Sequence, residues 1–291
     1  MKSNSGSITN QIEQGSLNQE EAVSLIIDRA RELVKRLVEE RGHEQPPFLA
    51  EEFARLQGIK RIAKANLGET SATLLRSRDG YVIQVNGSHN LARQNFSCAH
   101  EIGHILFNEL KLEQYLKNIE YRTFNPQACA GVRAAARERL CDAAAKELLM
   151  PDFIFGKYLS GYGLSVHSIE LLANIFKVSI QAVAIRIAEV SVGPCLALVW
   201  RPSLKTGSNG FRLAWCVGPG EKSLAKGYYV PLQTNVRPPS ALHKAYNGNG
   251  IIKSFKDFKI GDNRTRLPME SKGFGRNEKR YVISLAFLNR I

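Results

Sequence analysis

The run His100-Glu101-Ile102-Gly103-His104 constrains the fold more than any other stretch of this 291-residue chain. On a helix, residues four apart differ by about 40° in azimuth and about 6 Å in rise, so both imidazoles reach one ion. Glu101 then stands beside them, placed to polarise a water, the arrangement that zinc-dependent peptide hydrolysis needs. The spacing of Phe96, Ala99, Ile102, Leu106 and Phe107 predicts a helix with one buried face. A chance match on a core helix would produce the same pentapeptide in on the order of one percent of sequences with this many histidines. A third ligand separates the two readings.

A catalytic zinc takes three protein ligands and keeps one position open. The best third candidate is Glu138, in Glu138-Arg139-Leu140-Cys141-Asp142. Glu138 and Asp142 lie four apart and share a helical face. Glu138 would bind the metal, while Asp142 would accept a hydrogen bond from the far nitrogen of one histidine and so fix its tautomer. Taken alone, Glu138 reads as a solvated charge among Arg133, Arg137 and Arg139. The upstream motif and the second carboxylate reverse that reading. A closed structural site would need a fourth protein ligand, for which Cys141 is the nominee on the same helix.

The length allows two domains, each with its own core. No apolar run is long enough to span a bilayer, and Met1 to Gly15 is polar without an apolar signal core. A disordered lead-in over 1–18 and a cytoplasmic location are the expectations. Five cysteines without paired short spacing point to reduced thiols. Charge is unevenly placed: residues 193–291 hold 17 Lys and Arg against 5 Asp and Glu, whereas residues 1–192 hold 23 against 22. A neutral half precedes a strongly basic one.

Residues 19–42 read as an amphipathic helix with Ala22, Leu25, Ile26, Ala30, Leu33 and Leu37 on one stripe. Pro46-Pro47 ends that region, and Phe48 to Gln57 reads as a shorter helix. Strands follow at Ile59–Ala65, Ala72–Arg76 and Tyr81–Val85, with Asp79-Gly80 as a hairpin turn signal. The motif helix starts near 92–95. Residues 105–131 look irregular, Ala134 to Leu149 is helical again, and helices are expected over 153–159, 169–176 and 179–190. Past Val192-Gly193-Pro194 come short apolar alternations at Leu196–Trp200, Phe211–Val217, Tyr228–Leu232 and Tyr281–Leu288, the pattern of a mostly β domain.

The run Asn95-Phe96-Ser97-Cys98-Ala99-His100-Glu101-Ile102-Gly103-His104-Ile105-Leu106 resembles the motif helix of the ImmA/IrrE metallopeptidases. Glu138-x-x-Cys141-Asp142-x-x-Ala145-x-x-Leu148-Leu149-Met150-Pro151 resembles that family's second signature. The likeness takes in Pro46-Pro47, Tyr81 to Asn86 and Leu172 to Arg186, hence most of residues 20–190. Two departures stand out: the stretch from His104 to Glu138 is long, so 110–132 reads as an inserted loop, and Ala144 replaces a usual aromatic.

The resemblance implies an α+β protein: a zincin-like helical metallopeptidase domain with a small N-terminal β-sheet, then a mainly β accessory domain. The expected limits are 19–192, including a helical segment over 165–190, and 193–291. It implies His100, His104 and Glu138 as ligands of zinc (manganese as the alternative), Asp142 behind them, and Glu101 as the catalytic residue that takes a proton from water and delivers it to the leaving amine. Tyr121, Tyr162, His167 and Arg139 are the candidates for stabilising the oxyanion. Family members act as proteases or antirepressors on helix-turn-helix transcriptional repressors, which makes such a repressor the implied partner. A non-proteolytic antirepressor, or a nucleic-acid-binding regulator with a structural metal, are the alternatives.

The basic half carries no catalytic motif. Its charge suggests an anionic partner, whether nucleic acid, an acidic surface or a phosphorylated molecule. Aromatic and basic residues interleave from Lys253 to Lys259 and around Phe274 to Tyr281, a pattern that suits stacking with single strands. A solvated basic surface over a β core explains the same charge equally well. The resemblance implies a sensor-type domain after the peptidase, as in some members of the family, so a regulatory domain that gates the peptidase is the expectation.

Overall fold

The computed structural model describes residues 17–78, 80–120, 126–191, 193–203, 210–219, 229–231, 235–260 and 263–288. They fall into two compact units. The first runs to Pro151 and adds Phe176–Val178; the second comprises Asp152–Ile175 and everything from Ser179 onward.

The first unit opens with α1 (Gln19–Arg41). Of the expected lead-in, residues 1–16 lie outside the described residues, Leu17 is buried, and Asn18 caps α1 in a reciprocal box with Glu21. Ala22, Ile26, Ala30, Leu33 and Leu37 bury the helix's apolar stripe. After α2 (Ala50–Leu56) come β1 (Arg61–Ala65), β2 (Ala72–Ser77) and β3 (Gly80–Asn86). They form a sheet in the order β1-β3-β2, parallel on one side of β3 and antiparallel on the other. The β2–β3 hairpin closes at Ser77 opposite Gly80, whose φ of 127° needs a glycine; Asp79 lies outside the described residues.

Three further helices follow: α3 (Leu91–Glu109), α4 (Glu113–Glu120) and α5 (Pro126–Leu149). Helix α3 packs on β2, β3 and α5, and α1 packs on α5. This corrects the reading of 105–131 as irregular, while 121–125, within the expected insertion over 110–132, lie outside the described residues. Helix α3 runs on to Glu109, Lys111 turns the chain at a φ of 52°, and α5 begins eight residues earlier than Ala134, at Pro126. A proline fits the first helical position because that N–H has no intrahelical partner. Ala143, Ala144 and Ala145 are buried, so α5 presents small side chains to its neighbours.

The second unit holds α6 (Asp152–Tyr162), α7 (Val166–Phe176), α8 (Ile180–Val190) and a seven-stranded antiparallel sheet. Its strands are β4 (Cys195–Pro202), β5 (Phe211–Val217), β6 (Tyr229–Pro231), β7 (Asn235–Val236), β8 (Ile252–Ile260), β9 (Asn263–Phe274) and β10 (Tyr281–Phe287), in the order β6-β8-β9-β10-β4-β5-β7. A short helix, α9 (Ala241–Asn247), packs on β8, β9 and β10. Residues 195–200 are buried throughout, as expected of a strand covered on both faces. Leu196, Leu198 and Trp200 share a core with Leu242 and Ala245 of α9, while α8 also packs on β4.

The long β8–β9 hairpin and α9 were absent from the strand pattern read in the sequence. On β8 the inward positions include Ser254 and Lys256, which breaks the apolar alternation that marks a strand. The same geometry divides the interleaved aromatics. Phe258 is fully buried and Phe255 is 63% exposed, while Phe274 is buried beside Tyr281. They do not form one stacking platform.

Candidate metal centre

The centre is built on two crossing helices of the first unit. Asn90 caps α3 by accepting from the Arg93 amide at 2.9 Å, and Asn95 accepts from the Ala50 amide at 2.8 Å, tying α2 to the same helix. Gly103 sets the approach of α5: a Cβ there would lie 2.8 Å from the Cys141 carbonyl oxygen and 2.9 Å from its Cα. Only a residue without a side chain lets the two backbones meet at this point. Helical spacing then turns His100 and His104 toward Glu138, and Asp142 lies one turn further along α5.

His100 Nε2 lies 3.0 Å from Glu138 Oε2, and His104 Nε2 lies 3.7 Å from Glu138 Oε1. The outward nitrogens are held from behind. His100 Nδ1 contacts Asp142 Oδ1 at 2.8 Å, and His104 Nδ1 contacts Cys141 Sγ at 3.2 Å. The two rings meet edge to face with centroids 4.9 Å apart. The structure thus brings His100, His104, Glu138 and Asp142 into one cluster, with Glu101 beside them on α3.

Glu101 is only 9% exposed. Burial raises its carboxyl above the ordinary carboxylate range; the nearby His100 and a hydrogen bond from the Leu74 amide of β2 pull the other way. At His100, burial favours the neutral ring, but the hydrogen bond and charge of Asp142, with Glu138, outweigh it and raise the pKa. His104 is lowered, chiefly by burial and then by the charge of His100. Burial, with the Glu138 and Asp142 charges, drives the Cys141 thiol far up, so it stays protonated. Ser71, Arg93, Phe96, His100, Glu101 and Glu138 line a cleft of about 390 Å³.

Two imidazole nitrogens and a carboxylate oxygen converging on one point make a donor set that fits a divalent ion, zinc above all. His100, His104 and Cys141 also form a compact group, their ligand-type atoms within 4.8 Å of one another. Yet Cys141 Sγ faces His104 Nδ1 rather than the meeting point of the Nε2 atoms. A protonated thiol in that position orients the ring.

Sequence reasoning missed four contributors: Gly103, the Leu74 amide, Cys141 as the partner of His104, and Arg137, whose guanidinium lies 5.2 Å from the Phe107 ring centroid and bears on His104. Among the oxyanion candidates, Tyr121 lies outside the described residues, Tyr162 and His167 belong to the second unit, and Arg139 is exposed on α5. Burial also raises the Cys98 and Cys216 thiols to about 12 and Cys195 to about 11, consistent with inert reduced cysteines.

A helix bearing two imidazoles and a carboxylate, faced by a helix bearing two more carboxylates, defines a metallopeptidase-type centre. Residues 57–188 match the model of the IrrE N-terminal-like domain, which spans both helices and bears out the resemblance to the ImmA/IrrE family. Among solved structures, a Mycobacterium tuberculosis transcriptional regulator superposes with a TM-score of 0.60 at 16% identity, over 92% of this chain and 80% of that one. At that identity the likeness speaks for the fold alone. No curated protein matches the chain significantly. Among the described residues, no single helix is long and apolar enough to cross a membrane.

Proposed function

We propose that this chain is a zinc-dependent endopeptidase that cleaves a helix-turn-helix transcriptional repressor and so switches gene expression in the cytoplasm. One observation carries the reading: both Nε2 atoms face the Glu138 carboxylate while Glu101 is buried beside them at a cleft. His100, His104 and Glu138 would hold the ion, with Asp142 and Cys141 fixing the two rings through their Nδ1 atoms. When bound, the ion supplies Lewis-acid polarisation of a carbonyl and a lowered pKa for water. Glu101, its carboxyl raised by burial and oriented by the Leu74 amide, accepts the proton of the attacking water and returns it to the leaving amine. The division into a metallopeptidase domain over 19–192 and an accessory domain over 193–291 belongs to the same proposal as a division of roles along the sequence, distinct from the compact units, with the basic half as the part that meets an anionic partner.

The test uses purified full-length chain, zinc and candidate repressors, with fragments identified by mass spectrometry. Glu101→Gln is expected to keep one zinc per chain and to lose cleavage by about 10²–10⁴-fold. If Glu101→Gln still relieves repression, the protein is a non-proteolytic antirepressor. Glu138→Ala should lose the metal; full zinc content in that variant removes Glu138 from the ligand set. Metal analysis of protein from native cells distinguishes zinc from manganese.

A further inference from the structure

The second unit holds a cavity of about 460 Å³ between α9 and the β8–β9 hairpin, a volume within the range of small-molecule sites. Leu242 and Met269 supply apolar walls, and Ser254, Lys256, Asp257 and Arg264 bring polar groups to it. Asp257 and Arg264 neutralise each other in an ion pair at 2.9 Å. Lys256 remains as a cation with no carboxylate partner among the described residues, its ammonium 4.9 Å from the centroid of the Trp200 ring. Burial pulls its pKa down, with Asp257 opposing.

One more donor in the lining is unspent. The buried Oγ of Ser254 has no hydrogen-bond partner among the described residues. A buried donor left without an acceptor loses its hydration with nothing in return. An ammonium and an unpartnered hydroxyl, set beside apolar walls, call for a partner that brings negative charge and acceptor oxygens. We propose that this cavity binds a small anion carrying a carboxylate or a phosphate, with Lys256 as its charge partner and Ser254 as a hydrogen-bond donor.

Calorimetry on the full-length chain at fixed ionic strength, with inorganic phosphate and with benzoate as probes, tests the site and separates the two ligand sources. At least one probe is expected to bind saturably. Lys256→Met should weaken that binding about tenfold or more, the loss of a charge-assisted hydrogen bond. Lys253→Met, an exposed position on the opposite face of β8, should leave it unchanged. Absence of binding by both probes overturns the proposal. So does wild-type affinity in Lys256→Met, which would move the anion elsewhere, the metal centre included. If near-ultraviolet circular dichroism shows that Lys256→Met has lost its fold, Ser254→Ala decides: a loss of about threefold supports the site, and no loss overturns it.

Discussion

At Gly103 the backbones of α3 and α5 approach so closely that one methyl group would collide with the carbonyl oxygen of Cys141. Neither atom belongs to a flexible side chain, so the helices themselves must shift. Gly103→Ala is expected to destabilise the protein by about 1–3 kcal/mol in urea unfolding and to lower zinc retention, because the shift separates the two sets of ligands. Cys141 invites a different substitution. As the partner of His104 Nδ1 it should be replaceable by serine with zinc retained, measured by metal content after dialysis; loss of the ion in Cys141→Ser would make the sulfur a ligand. The histidine pair and its carboxylate were legible in the sequence because helical spacing alone brings i and i+4 together. Gly103, Cys141 and Leu74 were not, since their roles depend on which surface packs against the motif helix.

Among the elements, those with a clean period were readable. The stripe of α1 buries as its spacing predicts, and the β2–β3 pair follows its turn signal. Helix α5 was read from Ala134 because 126–133 lacks apolar periodicity, and β8 escaped because Ser254 and Lys256 sit where apolar residues normally mark an inward face. Tertiary packing decides such segments. The start of the motif helix has a local support that can be removed by itself: Asn90→Ala takes away the acceptor for the Arg93 amide. Thermal or urea unfolding should show a loss of about 1 kcal/mol, with the metal still bound.

On the scale of the whole molecule, composition suggested a break near residue 192, where the neutral half gives way to the basic one. The compact units divide differently: α6, α7 and α8 lie in the unit of the seven-stranded sheet, and α8 packs on β4, β5 and β10. Charge reports the surface, whereas contacts follow apolar faces, and the two need not change at the same residue. A fragment beginning at residue 152 should therefore give a cooperative melting transition. One beginning at residue 193 should lose it and bind a hydrophobic dye, having shed the cover of Val183, Ala184 and Ile187. Among the described residues of the first unit, the three-stranded sheet ends at β2 on one side, leaving an edge there. The unpaired amides of such a strand are a template on which a foreign chain can grow a ladder. At Leu74 that amide is already committed to Glu101. A strand added along this edge would have to take that donor from Glu101, so the edge and the centre of the site draw on the same amide.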